Sequence, residues 1–140
     1  MQTTTVLCVD DDTKCLECRS FLLRAAGYGV LTASSGTEAL LIFASNHIDL
    51  TILDFDMPDM DGGSLASRLK EVAPHIPVFM ISGQDQIPID ALRWVDEFIS
   101  KGEKPAKLLS DLRDLLTERS LFIHSPPTPE SPHAMRSVKE

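Results

Sequence analysis

An α/β fold with a five-stranded parallel sheet covered on both faces is predicted by three observations. Short apolar, β-rich runs alternate with segments of helical period, and the residues between them are ones that cap helices and form turns. Acids, a hydroxyl and an amine then fall where the apolar runs end. Strands that alternate with helices pair in parallel, with the helices packed on the faces of the sheet.

The elements come in this order. TVLCVD at 5–10 is the first strand, the helix at 13–26 comes next, and Gly27 can end that helix in a left-handed conformation. YGVLTA at 28–33 is the second strand, and Ser35 can cap a helix at 36–46. IDLTILD at 48–54 is the third, with a helix at 63–72 behind it; IPVFMIS at 76–82 is the fourth. Pro88 confines the fourth helix to the residues after it, so a shortened helix at 89–95 is predicted before EFIS at 97–100. Pro105 suits the first turn of the last helix, 105–119, whose Leu108, Leu109, Leu112, Leu115 and Leu116 form one stripe expected to pack on the sheet.

The chain has 140 residues, 43% hydrophobic and 24% charged, enough for one domain with its own core. A net charge of −8 argues against a nucleic-acid surface, which needs clustered Lys and Arg. No apolar run approaches the roughly 18 residues of a membrane span, and three cysteines, an odd count, fit a reducing compartment. A cytoplasmic location is expected. Beyond about residue 123 the composition turns to Pro and Ser, so a domain over 1–122 and a flexible tail or linker over 123–140 are expected.

Ligands of an open parallel sheet bind at the carboxyl ends of its strands, where the strand order reverses. The first strand ends in Asp10, Asp11 and Asp12, the third in Asp54, the fourth in Ser82 and the fifth in Lys101. Clustered carboxylates repel unless a cation lies between them, and Mg²⁺ is the economical cation because it takes oxygen ligands. His47, His75, His124 and His133 sit at no strand end, which disfavours zinc. With the metal present a carboxylate can act as nucleophile toward a phosphoryl group, while Ser82 donates to one phosphoryl oxygen and Lys101 neutralises another.

VLCVDDD, LTILDFDMPDMDG, VFMISG and FISKG, in that order at strand ends, resemble the receiver domain of two-component response regulators over roughly 5–120. The resemblance implies a flavodoxin-like sheet of strand order 2-1-3-4-5. It implies that Asp54 is the phosphoacceptor and that Mg²⁺ (or Mn²⁺) is held by Asp11, Asp10, Asp54 and the backbone carbonyl of Asp56. Ser82 takes the place of the switch hydroxyl, Lys101 of the family's lysine and Phe98 of the aromatic switch, with Asp56 and Gln84 as tuning positions beside the path of the hydrolytic water. A sensor histidine kinase or phosphotransfer protein is the implied donor. Slow self-dephosphorylation would reset the domain. The face around helix four, strand five and helix five is the implied contact for a downstream protein, with homodimerisation on phosphorylation a further implied outcome.

The sequence departs from the family pattern at Gly102, where a proline usually follows the lysine, and in the short stretch from Ser82 to Phe98. Lys104-Pro105 is a competing match for the lysine. Asp59 and Asp61 read as capping or turn residues before the third helix. Cys15 and Cys18, near one helix face with Leu22 and Ala25, read as packing residues rather than a redox pair, as do Met57, Met60 and Met80. Trp94 reads as either core or a partner contact. Two rival functions stay open: a haloacid-dehalogenase-like phosphatase with Asp54 as nucleophile and Asp56 as acid, and a receiver that binds partners without phosphorylation.

Overall fold

The computed structural model describes residues 3–84 and 87–123, so all of the expected tail but its first residue, Ile123, lies outside the described residues. Its elements are β1 (Thr5–Val9), α1 (Thr13–Ala25), β2 (Gly29–Ala33), α2 (Gly36–Ser45), β3 (Leu50–Asp54), α3 (Gly62–Val72), β4 (Val78–Ser82), α4 (Ile89–Leu92), β5 (Glu97–Ser100) and α5 (Pro105–Ile123). One compact unit ends at Gly102 and holds the whole sheet; a second begins at Glu103 and carries α5.

All five strands are parallel, in the order β2-β1-β3-β4-β5. A strand–helix–parallel strand crossover is right-handed. The chain steps outward from β1 to β2 and then back across to β3, β4 and β5, which puts α1 on one face and α2, α3 and α4 on the other. This reversal between β1 and β3 opens the crevice where the sheet's functional side chains gather.

Leu7 and Val9 of β1, Leu53 of β3 and Met80 of β4 form a buried cluster with Ala39, Leu65, Ala66, Leu69 and Ala91 of the helices on that face. Val6, Cys8, Ile52 and Phe79 alternate with them along the same strands and are equally buried. Two covered faces explain the unbroken apolar runs in the sequence. The Cys8 thiol, pushed up to about 12 by burial, is inert packing.

Local signals explain the ends of the elements. Gly27, at φ 100, turns the chain out of α1, and its N–H and that of Tyr28 donate to the carbonyls of Arg24 and Leu23. Ser35 caps α2 by accepting from Glu38 N. Pro88 opens α4, which is short, as the sequence predicts, and only four residues long.

Several expectations need correction. β3 and β4 begin at Leu50 and Val78, later than their apolar runs, because Ile48 and Ile76 are buried from the preceding loops. The apolar pattern reports burial, and strand pairing covers only part of it. α4 stops at Leu92 rather than 95; the next residues continue as turns, with Trp94 N and Val95 N donating to Ala91 and Leu92 carbonyls. α5 runs on to Ile123 rather than 119, since neither Gly nor Pro interrupts it.

The buried stripe of α1 is Leu16, Ser20 and Leu23. It passes beside Cys18, which is exposed like Ala25, and Cys15 is only half-buried, so the packing role expected for this pair fails. Trp94 packs on the core cluster, with the Arg93 guanidinium 5.4 Å from its ring centroid. Met57 and Met80 are buried, and Met60 packs against the same cluster.

Candidate functional site

The crevice is built from strand ends. Asp10 follows β1, Asp54 closes β3, Ser82 closes β4 and Lys101 follows β5. Parallel pairing with matched register brings these ends level: Asp54 faces Ile81 and Ser82 faces Ser100. Lys101 N donates to the Ser82 carbonyl at 2.9 Å, which fixes the lysine beside β4 although Gly102 follows it. On the other side, α3 enters close under Asp54. A Cβ on Gly62 would lie 2.7 Å from the Asp54 carbonyl oxygen, so only glycine admits this approach.

Asp54 is 1% exposed, and neither of its oxygens accepts a well-aligned hydrogen bond. The ammonium of Lys101 lies 3.1 Å from its Oδ1. Burial first, then the Asp10 charge, raise the Asp54 carboxyl to about 6, and Lys101 limits the rise. The lysine responds in kind: burial opposes its charge, but Asp54 and Asp10 outweigh burial and raise its pKa.

Asp10 is wholly buried; its Oδ1 accepts from Asp12 N at 2.9 Å and its Oδ2 lies 3.2 Å from Arg19 Nη1 and 4.0 Å from Lys101 Nζ. Asp11 is exposed at the mouth. Asp10, Asp11 and Asp54 each offer a carboxylate oxygen, all within 4.8 Å of one another. A set of hard oxygen donors, with the two buried oxygens of Asp54 lacking an aligned hydrogen bond, fits a small divalent cation such as Mg²⁺ and does not fit zinc.

The neighbouring acids divide by role. Asp12 caps α1, accepting from Lys14 N and Cys15 N, and those bonds lower its pKa. Asp61 caps α3 by accepting from Ser64 N. Asp59 does not serve the helix that follows it: its carboxylate accepts from Gly36 N at 3.4 Å and from Thr37 N and Thr37 Oγ1 at 3.3 Å, tying the loop to the start of α2.

Asp56 turns its side chain toward Ser82. Its Oδ2 accepts from Ser82 Oγ at 3.2 Å and its Oδ1 from Gln84 Nε2 at 2.6 Å, while Gln84 N donates to Ser82 Oγ at 3.0 Å. Ser82 is buried, and Phe98 is half-buried against the core. Arg19 is the site residue that sequence reasoning missed, because nothing in its spacing from Asp10 marks a contact.

A model of the response regulator receiver domain matches residues 6–113. The chain belongs to that family. Receivers of this kind are phosphoacceptor switches of two-component signalling, and they bind Mg²⁺ at an acidic pocket. This receiver is 37% identical over 117 residues to the transcriptional regulatory protein GlrR of Escherichia coli K12, a match that covers 81% of the chain. It spans only 26% of GlrR.

Among solved structures, a CheY-like receiver domain protein from Methanospirillum hungatei is 26% identical, with a TM-score of 0.79 over 85% of this chain and 98% of that one. TrrA, a response regulator of Thermotoga maritima determined in complex with Mg²⁺ and BeF, is 27% identical, with a TM-score of 0.77 over 81% of this chain and 99% of that one. Among the described residues no helix is long and apolar enough to cross a membrane.

Proposed function

We propose that this receiver takes a phosphoryl group on Asp54 from a phosphohistidine of a sensor kinase or phosphotransfer protein, and that the change alters its contacts with a downstream protein. The observation that carries the reading is Asp54 itself: a buried carboxylate at a strand end, with both oxygens unmatched by hydrogen bonds and an ammonium 3.1 Å away. An ionised Asp54 oxygen attacks phosphorus, the P–N bond breaks, and the histidine nitrogen leaves with the electron pair and is reprotonated. Lys101 holds the incoming anion's charge.

A Mg²⁺ or Mn²⁺ ion, when bound, would screen the phosphoryl oxygens. Asp11 and Asp54 would hold it directly, with Asp10 reaching it through water and the backbone carbonyl of Asp56 as a further ligand. That TrrA was determined in complex with Mg²⁺ and BeF supports such an ion.

The phosphoryl group adds a charge of about −1.5 to −2. Ser82 Oγ, which donates to Asp56, then turns to donate to the phosphoryl group, and Phe98 follows the movement. Gln84 and Asp56 line the approach of water that resets the domain by slow hydrolysis. The surface around α4 and β5 is the proposed readout, with homodimerisation one form that readout can take and the cytoplasm the expected location.

Incubation with acetyl phosphate and Mg²⁺, read on a Phos-tag gel, tests this. A shifted band is expected for the wild type, to be lost with EDTA and in Asp54→Asn. Repeated turnover of a phosphomonoester that disappears in Asp56→Asn would replace the reading with a phosphatase. An unshifted band from folded protein would leave a partner-binding receiver that works without phosphorylation.

A further inference from the structure

Arg19 brings a second cation into the acidic pocket, from the middle of α1. Its Nη1 lies 3.2 Å from Asp10 Oδ2, and the two side chains are 11% and 0% exposed. The other oxygen of Asp10 is taken by Asp12 N. Both oxygens of Asp10 are therefore engaged by the protein itself, whereas Asp11 is exposed and Asp54 has no aligned donor.

We propose that Arg19 is a resident counter-ion of the metal pocket: it holds Asp10 against the protein, leaves Asp11 and Asp54 to meet the divalent ion, and sets the affinity for that ion low. The inference rests on the reading of this pocket as a Mg²⁺ site. Three carboxylates and two cations, Lys101 and Arg19, leave one net negative charge; without Arg19 there would be two. A guanidinium keeps its charge at every accessible pH, so this offset is permanent.

A unit charge a few ångströms from a dication changes its affinity by about tenfold or more at the effective dielectric of protein sites. A pocket tuned in this way holds the ion loosely when Asp54 is unmodified. Occupancy then rises when the phosphoryl group brings further negative charge. Arg19 also offsets part of the repulsion among the three neighbouring acids in the metal-free domain.

Calorimetric titration of Mg²⁺ into the complete chain separates the outcomes, with circular dichroism as the fold control. Arg19→Met and Arg19→Gln are expected to bind Mg²⁺ about tenfold more tightly than the wild type, and Arg19→Lys within about twofold of it. Equal affinity in the wild type, Met and Gln proteins would overturn the role of Arg19 while the metal site stands. Equal tightening in all three variants, Lys included, would also overturn it, because shape rather than charge would then decide. Should the Met variant fail to fold, the Gln and Lys pair decides alone. A wild type that takes up no Mg²⁺ would instead overturn the metal-site reading, and this inference with it.

Discussion

Two buried aspartates at opposite ends of one sheet show what separates a carboxylate spent on the fold from one left open. Asp96 precedes β5 at the amino-terminal edge and is 3% exposed; its Oδ2 accepts from Lys70 Nζ at 2.8 Å and from Val78 N at 2.7 Å. Asp54 closes β3 at the carboxyl edge and is 1% exposed, with no aligned donor on either oxygen. Burial is common to both. Hydrogen bonding differs, and with it what each carboxylate can do: Asp96 ties α3 and β4 to the entry of β5, while Asp54 keeps its lone pairs for a metal or a phosphorus atom.

The largest expected contrast is in stability. Asp96→Ala leaves Lys70 without its ion-pair partner and Val78 N without its acceptor, and should cost about 3–5 kcal/mol in urea unfolding. Asp54→Asn should do the reverse in metal-free buffer. The folded-state pKa of Asp54, about 6 against an ordinary 3.8, means that the folded protein binds more protons than the unfolded chain between those values. Its stabilising contribution is full below about pH 4 and lost as pH rises through about 6. Asp54→Asn is therefore expected to be about 2–3 kcal/mol more stable than the wild type at pH 7, with the gap closing as the pH falls toward 4. A gap that widens on acidification would contradict the unsatisfied state of Asp54.

Mg²⁺ should remove much of this contrast by meeting the open oxygens. At tenfold its dissociation constant it is expected to stabilise the wild type by about 1.4 kcal/mol, seen as a rise in Tm, with a much smaller rise in Asp11→Asn. The smallest effect belongs to Asp59. Asp59→Ala should lower Tm only slightly, through the loss of its bonds at the start of α2, and leave the Mg²⁺ response unchanged.

The difference between the two aspartates also marks how far the sequence could be read. Asp54 was legible because it ends an apolar run, and strand ends are local features whose convergence follows from the parallel fold. Strand order and the short α4 were legible on the same footing, the first through family resemblance and the second through Pro88. Asp96 was not, because its partners Lys70 and Val78 lie 26 and 18 residues away on other elements and no period links them. The same holds for Arg19 on Asp10 and for Asp59 on α2. Cys18 was misread because its buried neighbours on α1 lie to one side of it: a helix face less than half covered leaves little margin in a period of 3.6.

The central claim is that Asp54, and not the equally buried Asp96, is the reactive carboxylate. Intact-mass measurement after incubation with acetyl phosphate and Mg²⁺, run in parallel on the wild type, Asp54→Asn and Asp96→Asn, tests it most directly. The account predicts a single phosphoryl adduct on the wild type and on folded Asp96→Asn, and none on Asp54→Asn. An adduct that persists in Asp54→Asn, or that is lost from folded Asp96→Asn, would contradict it.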